Sequence, residues 1–179
     1  DGTNLYPLTT DSSGDLQVDI KTIAAGNNRI GTVSGVYKEF RVTKALLAAS
    51  GYGANDVLCE SATDATGTAW TFPAMARENG AYVEIVSVRA VSESENITPR
   101  LTALFFNATP TGELDDNAVN TSPVSADLAK FQGAAELPGL HAVGATSDSW
   151  TIASMGVGNV PFWFKCASDA DDIIAILTT

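Results

Sequence analysis

An all-β fold, an antiparallel two-sheet sandwich of jelly-roll-like type with an extended N-terminal arm, is what this sequence predicts. Three observations carry the expectation. Apolar and polar residues alternate with a period of two over several short stretches. Clusters of Gly, Pro, Asn, Asp and Ser separate those stretches, and only Thr43 to Ala49 and Ala126 to Gln132 offer short helical turns. A chain of 179 residues is long enough for one domain with a substantial core and short for two. Its apolar fraction of 45% fits a packed body better than a disordered chain.

The elements follow in order. Residues 1 to 35 hold few large apolar side chains and many Gly, Asn, Ser, Thr and Asp residues. Such a segment has no core of its own, so it reads as an arm ordered by contacts outside itself. Leu16, Val18 and Ile20 alternate within it and offer one strand able to pair with a neighbour's exposed edge, which makes them the candidate partner-contact residues. The sandwich domain occupies residues 36 to 179. Its expected strands are Val36 to Thr43, Asp56 to Glu60, Ala69 to Phe72, Ala81 to Val91, Arg100 to Asn107, Trp150 to Ser154, Val160 to Cys166 and Asp172 to Leu177. About eight short strands punctuated by turns favour a sandwich, and a jelly roll is the commonest eight-stranded form. Ala81 to Val91 is apolar on both faces and should be covered on both. Glu113 to Ala126 shows no periodicity and reads as a long loop, a place where function often sits. The expected interior includes Tyr82, Val86, Leu104, Phe106, Ile152 and Phe164.

Charge narrows the partners. With 10 basic against 21 acidic residues the net charge is −11, a field that repels phosphate backbones and makes nucleic acid an unsuitable partner. No apolar run approaches the ~20 residues that span a bilayer, and no signal-peptide core is present, so no membrane partner is expected. The sequence starts at Asp1 rather than Met, which leaves room for a removed leader.

Residues with chemical potential each have a plainer reading. Cys59 and Cys166 are too few for a disulfide framework and lack the spacing of a zinc or redox motif. They read as two buried thiols, with a single bridge as the alternative if their strands adjoin. His141 is the only histidine, and no nucleophile elbow accompanies it, so a loop histidine is preferred to a catalytic one. Asp115-Asp116 and Asp169 to Asp172 would suit Ca²⁺ or a glycosidase pair, yet neither has the order of an EF-hand loop. A solvated turn explains the second cluster. Phe162-Trp163-Phe164 suggests a sugar platform, but alternation puts the two Phe residues in the core and Trp163 on an interface or the opposite surface. Sequons at Asn96, Asn107 and Asn120 matter only in a secreted eukaryotic protein, and Gly51-Tyr52-Gly53 and Gly156-Val157-Gly158 read as turns. These residues suggest neither enzymatic activity nor a cofactor.

A set of phrases spans much of the chain: Tyr52 to Leu58 (YGANDVL), Ala69 to Phe72 (AWTF), Leu101 to Asn107 (LTALFFN), Asp116 to Ala118 (DNA), Asp127 to Gly133 (DLAKFQG) and Ile174 to Leu177 (IAIL). Together they resemble a recurring type of tailed-bacteriophage virion structural protein, the capsid decoration or cement type. Leu8 to Ile20 is similar to the lead-in of many phage head and tail proteins. The resemblance implies a non-enzymatic protein on the outer capsid surface, bound to the major capsid protein and to copies of itself as a homotrimer. The alternatives are a head- or tail-fibre module that displays loops such as 113 to 126 to a host receptor or glycan, and a depolymerase supported only by scattered carboxylates.

Overall fold

The computed structural model describes residues 13, 37–46, 51–60, 67–95, 97–142 and 144–179. Lys38–Thr179 form one compact unit and Asp1–Tyr37 another. Of the latter only Ser13 and Tyr37 are described, so the arm's Leu16, Val18 and Ile20 lie outside the described residues.

The described chain is all-β and antiparallel throughout. Its strands are β1 (Trp70–Phe72), β2 (Tyr82–Ile85), β3 (Val88–Glu95), β4 (Leu101–Phe106), β5 (Phe131–Leu137), β6 (His141–Ala142), β7 (Asp148–Ala153), β8 (Phe162–Lys165) and β9 (Ile173–Thr178). They make a four-stranded sheet in the order β1-β9-β4-β5, a pair β2-β8 and a three-stranded sheet β3-β7-β6. A jelly roll divides eight strands between two sheets, whereas the described strands divide four, two and three. One 3-10 turn, Ser125–Asp127, precedes β5.

β4 and β9 explain the architecture. Their sequences, LTALFF and IIAILT, are nearly continuous apolar runs, the mark of strands buried on both faces. On one face Leu101, Ala103 and Phe105 of β4 and Ile173 and Ala175 of β9 pack with Ile85, Ala153 and Phe164 of the smaller sheets, which is the sandwich core. On the other face Leu104, Phe106 and Ile176 pack with Val57 and Cys59, flanked by Leu114 and Phe131. That second face is covered by the segment 51–60 and by Leu114, with no sheet facing it among the described residues.

Several expectations need correcting. Tyr82–Glu95 is broken at Val86 and Ser87, where the alternation slips by one residue. Val83 and Ile85 face inward before the break, Val88 and Ala90 after it, so the strand does not have two apolar faces needing cover. Leu104, Phe106 and Phe164 are buried as expected, but Tyr82 is 65% and Ile152 39% exposed. In β7 the buried positions are Ser149, Thr151 and Ala153. The hydroxyls settle there because they have partners: Ser149 accepts from the Ile97 N–H (3.2 Å) and Thr151 donates to the Pro138 carbonyl (2.6 Å). Ile152 is left facing out. β5 and β6 lie where no strand was expected. In β5 the sequence FQGAAEL is poor in β formers, and Gly133 sits at a φ of +151° where a Cβ would crowd the Phe162 ring at 3.2 Å. Thr43 to Leu46, the described part of the first expected helical turn, is not helical, and the turn expected over Ala126 to Gln132 shrinks to the 3-10 turn before β5 begins.

Candidate functional site

The cover over the second face of the central sheet is where the phrases of the sequence meet. The backbone of 51–60 runs against the end of β9. Asn55 N–H donates to the Thr179 carbonyl (2.9 Å), Leu58 N–H to Leu177 (2.8 Å) and Thr179 N–H to Asp56 (3.0 Å). The same segment pairs with 117–120: Val57 N–H donates to Ala118 (2.8 Å), Asn117 N–H to Val57 (2.9 Å) and Asn120 N–H to Asn55 (2.9 Å). Asn55 and Asn117 have φ of 68° and 63°, a left-handed conformation that Asn adopts more readily than other side-chain-bearing residues. Each phrase therefore carries Asn where its backbone reverses. From β1, the Trp70 indole N–H donates to the Leu58 carbonyl (2.8 Å).

Carboxylates fasten the cover. Asp116, almost fully buried, accepts the Tyr52 hydroxyl through both oxygens (3.0 and 2.9 Å) and the Cys59 N–H through Oδ1 (2.9 Å). Burial, then the hydrogen bond and charge of Asp116, push the Tyr52 phenol above its ordinary range. Asp127, 0% exposed, accepts the N–H (2.6 Å) and hydroxyl (2.9 Å) of Thr111 and the Lys130 ammonium (2.8 Å). Lys130 also donates to the Thr109 carbonyl (2.9 Å), so the pair clamps the turn that follows β4. The Lys130 bond holds Asp127 below the usual carboxylate range, against the opposing effect of burial and with help from Thr111. At the rim, Glu60 joins Lys44 and the Thr68 hydroxyl. Burial works against its ionisation, but bonds from Cys59, Lys44, Thr68 and its own backbone bring its pKa down to about 2. A depression of about 600 Å³ lies beside this rim, lined in part by Val42, Lys44, Glu60, Thr68 and Leu114. The charged side chains among its described lining residues, Lys44 and Glu60, are bonded to each other.

Chemically, this arrangement joins backbone segments, with acids aimed at N–H groups and hydroxyls. In the sequence these residues stand out as phrases and not by their roles. The available signal was that the phrases at 52–58, 116–118 and 127–133 couple an acid or Tyr with apolar neighbours, as a loop does when it packs on a core.

The other candidates fall as follows. Asp115 and Asp116 are buried in the cover instead of standing in an exposed loop, and Ser122 is buried as well, while Asn117, Val119, Thr121, Pro123, Ser125 and Ala126 stay exposed. Asp169 is exposed in the turn between β8 and β9, and Asp172 accepts the Ala74 N–H (3.0 Å). Cys59 and Cys166 are both buried; burial, then the charges of Asp171 and Asp172, push the Cys166 thiol up. His141 lies in β6, not in a loop, and its ring packs on Trp150 with centroids 4.7 Å apart. Phe164 is fully buried, Phe162 half-buried and Trp163 66% exposed on the opposite surface. The Asn120 side chain is engaged with the Ser122 backbone, and Asn96 lies outside the described residues. Among the described residues no group of three or more His, Cys, Asp or Glu residues is placed to hold a metal ion, and no helix is long and apolar enough to cross a membrane. In comparisons with known proteins, no family model, no curated protein and no solved structure matches this chain.

Proposed function

We propose that this chain is a non-enzymatic virion structural protein of a tailed bacteriophage that decorates and stabilises the outer surface of the capsid shell. Its partners are the major capsid protein and copies of itself in a homotrimer. Residues 1 to 35, with Leu16, Val18 and Ile20, form the anchoring arm. The observation that carries the reading is the convergence of the resembling phrases: Tyr52, Asp56 and Val57 of the first meet Asp116, Asn117 and Ala118 of the second and the C-terminal strand. The phrases thus have one common task, the closing of a β-body, and the buried carboxylates among them serve that task. A body closed on both faces of its central sheet suits a part that must stay folded while held on a shell. The fibre-module reading draws less support, because the loop 113 to 126 that would display a receptor site is tied to the body through buried Asp115, Asp116 and Ser122 and through the backbone of 117–120.

The test is retention. Capsids lacking the protein are mixed with the full chain or with a form lacking residues 1 to 31, then pelleted. The full chain should co-sediment, and the truncated chain should remain folded but stay mostly in the supernatant. Failure of the full chain to pellet with capsids refutes the function; equal pelleting of both forms refutes the arm as the anchor.

A further inference from the structure

Among the described residues the pair β2-β8 has an unpaired edge, and its outer face is unusual. Cys166 N–H donates to the Ala81 carbonyl (3.0 Å), and the register continues Tyr82↔Lys165, Val83↔Phe164, Glu84↔Trp163 and Ile85↔Phe162. In an antiparallel ladder hydrogen-bonded pairs alternate. The Ala81–Cys166 bond therefore assigns Val83 and Ile85 to the β8 side and turns the N–H and C=O groups of Tyr82 and Glu84 to the other edge. No strand among the described residues pairs with that edge. Only Glu84 offers an edge-guarding charge within β2. In β3 the run Ser92-Glu93-Ser94 and a bulge between Ser92 and Glu95 guard the continuation.

The outer face of the same pair carries Tyr82, Glu84, Trp163 and Lys165, all exposed. Tyr82 and Trp163 are diagonal neighbours, within reach of aromatic side chains across a ladder. The Lys165 ammonium lies 5.5 Å from the centre of the Tyr82 ring. The patch thus holds two exposed aromatics, one acid and one base, and its charges complement a copy of itself.

We infer that β2 pairs antiparallel with β2 of a second copy about a two-fold axis at Val83, joining the two copies through a continuous β8-β2-β2-β8 sheet. The register follows from the edge. Tyr82 and Glu84 are the outward-turned residues, so Tyr82 of each copy stands opposite Glu84 of the other and each such pair exchanges both of its backbone hydrogen bonds. The half-buried Val83 side chains meet on the axis. On the outer face one row then reads Lys165 and Tyr82 of one copy, Glu84 and Trp163 of the other, and the symmetry repeats it in reverse. Lys165 and the second copy's Glu84 are separated by two strand spacings, roughly 9.5 Å between backbones, a gap their long side chains close over the Tyr82 ring. A second copy satisfies every feature of the patch at once: strand backbone for the edge, a carboxylate for Lys165, an ammonium for Glu84 and aromatic area for Tyr82 and Trp163. This contact uses one edge per chain and does not depend on the capsid reading. It joins single chains or, if the protein is trimeric by another surface, joins trimers.

Charge reversal tests it by sedimentation of the whole chain at micromolar concentration. The wild type should sediment as an even-numbered assembly. Glu84→Lys and Lys165→Glu should each halve its mass, and the double reversal E84K/K165E should restore it. Both side chains are exposed, so each variant should keep the wild-type circular dichroism and unfold cooperatively. Glu84→Pro supplies an independent readout: it removes an N–H that the β2-β8 ladder does not use, so it should halve the mass without unfolding the chain. A monomeric or odd-numbered wild type, or single reversals that leave the mass unchanged, would overturn the contact. A monomeric wild type that binds a peptide of residues 14 to 20 at this edge, with binding lost in Glu84→Pro, would overturn it in favour of the arm. Saturable binding of an oligosaccharide to a monomer, lost in Trp163→Ala, would overturn it in favour of a glycan.

Discussion

Tyr52→Phe removes a single oxygen from the cover. The hydroxyl donates to both oxygens of Asp116, whose Oδ1 also accepts the Cys59 N–H at 2.9 Å. A hydrogen bond to a charged group contributes about 1.5–3 kcal/mol, and because Tyr52 is only half-buried the lower end applies. At about 2–4 °C per kcal/mol for a chain of this size, the expected fall in Tm is ~3–6 °C. Asp116→Ala also strands the buried Cys59 N–H and should cost about 2.5–4.5 kcal/mol in total. In the Asp116→Ala background, Tyr52→Phe should cost under about 0.5 kcal/mol, since its partner is gone. Thermal and urea unfolding followed by circular dichroism measure all four proteins of this cycle. The sign of the pH dependence follows from the raised phenol: the stability is fully present below the usual tyrosine value of 10.0 and is lost as pH rises beyond it. The difference between wild type and Tyr52→Phe should therefore shrink in strong alkali. An unchanged Tm for Tyr52→Phe, or equal costs in both backgrounds, would refute the tie.

Phe106→Ala, at a position 0% exposed under the cover, should cost about 3–5 kcal/mol; Ile152→Ala, at a 39% exposed position, should cost under about 1 kcal/mol. Similar Tm losses for the two would contradict the observed direction of β7. Glu60 is lowered from the usual 4.5 to about 2, so its contribution is present above 4.5 and lost as pH falls towards 2. Glu60→Gln should accordingly flatten the acid limb of a Tm against pH curve, and an unchanged limb would show that the Lys44–Glu60 tie does not matter. At Gly158 φ is +74° and a Cβ would run into the Glu136 carbonyl that neighbours it. Gly158→Ala should destabilise by more than about 1 kcal/mol in the same unfolding assay, and a neutral result would mean that this turn moves aside.

The β class and the strongest strands were legible because their signals are local. LTALFF and IIAILT announce doubly buried strands by apolar continuity, and Phe164 follows from alternation across FWF. What was illegible depended on distant partners. Ser149 and Thr151 face inward because the Ile97 N–H and the Pro138 carbonyl receive them, a fact no period-two pattern contains. The slip at Val86 and Ser87 reverses the inward set on either side of one residue step. β5 is a strand because β4 pairs with it through a bulge between Phe105 and Phe106, despite Gly133-Ala134-Ala135. The site was visible as words without grammar: Tyr52 and Asp116 lie far apart in sequence, and Asp127 and Lys130 look like an ordinary surface pair until the structure puts the Asp127 carboxylate at 0% exposure.

The capsid reading is tested most directly by a reconstruction from electron micrographs of the virion at a resolution that traces the chain. The proposal predicts the β-body on the outside of the shell, with residues 1 to 35 running onto a capsid subunit. Density for the chain at a tail tip or fibre, or its absence from the particle, would contradict it.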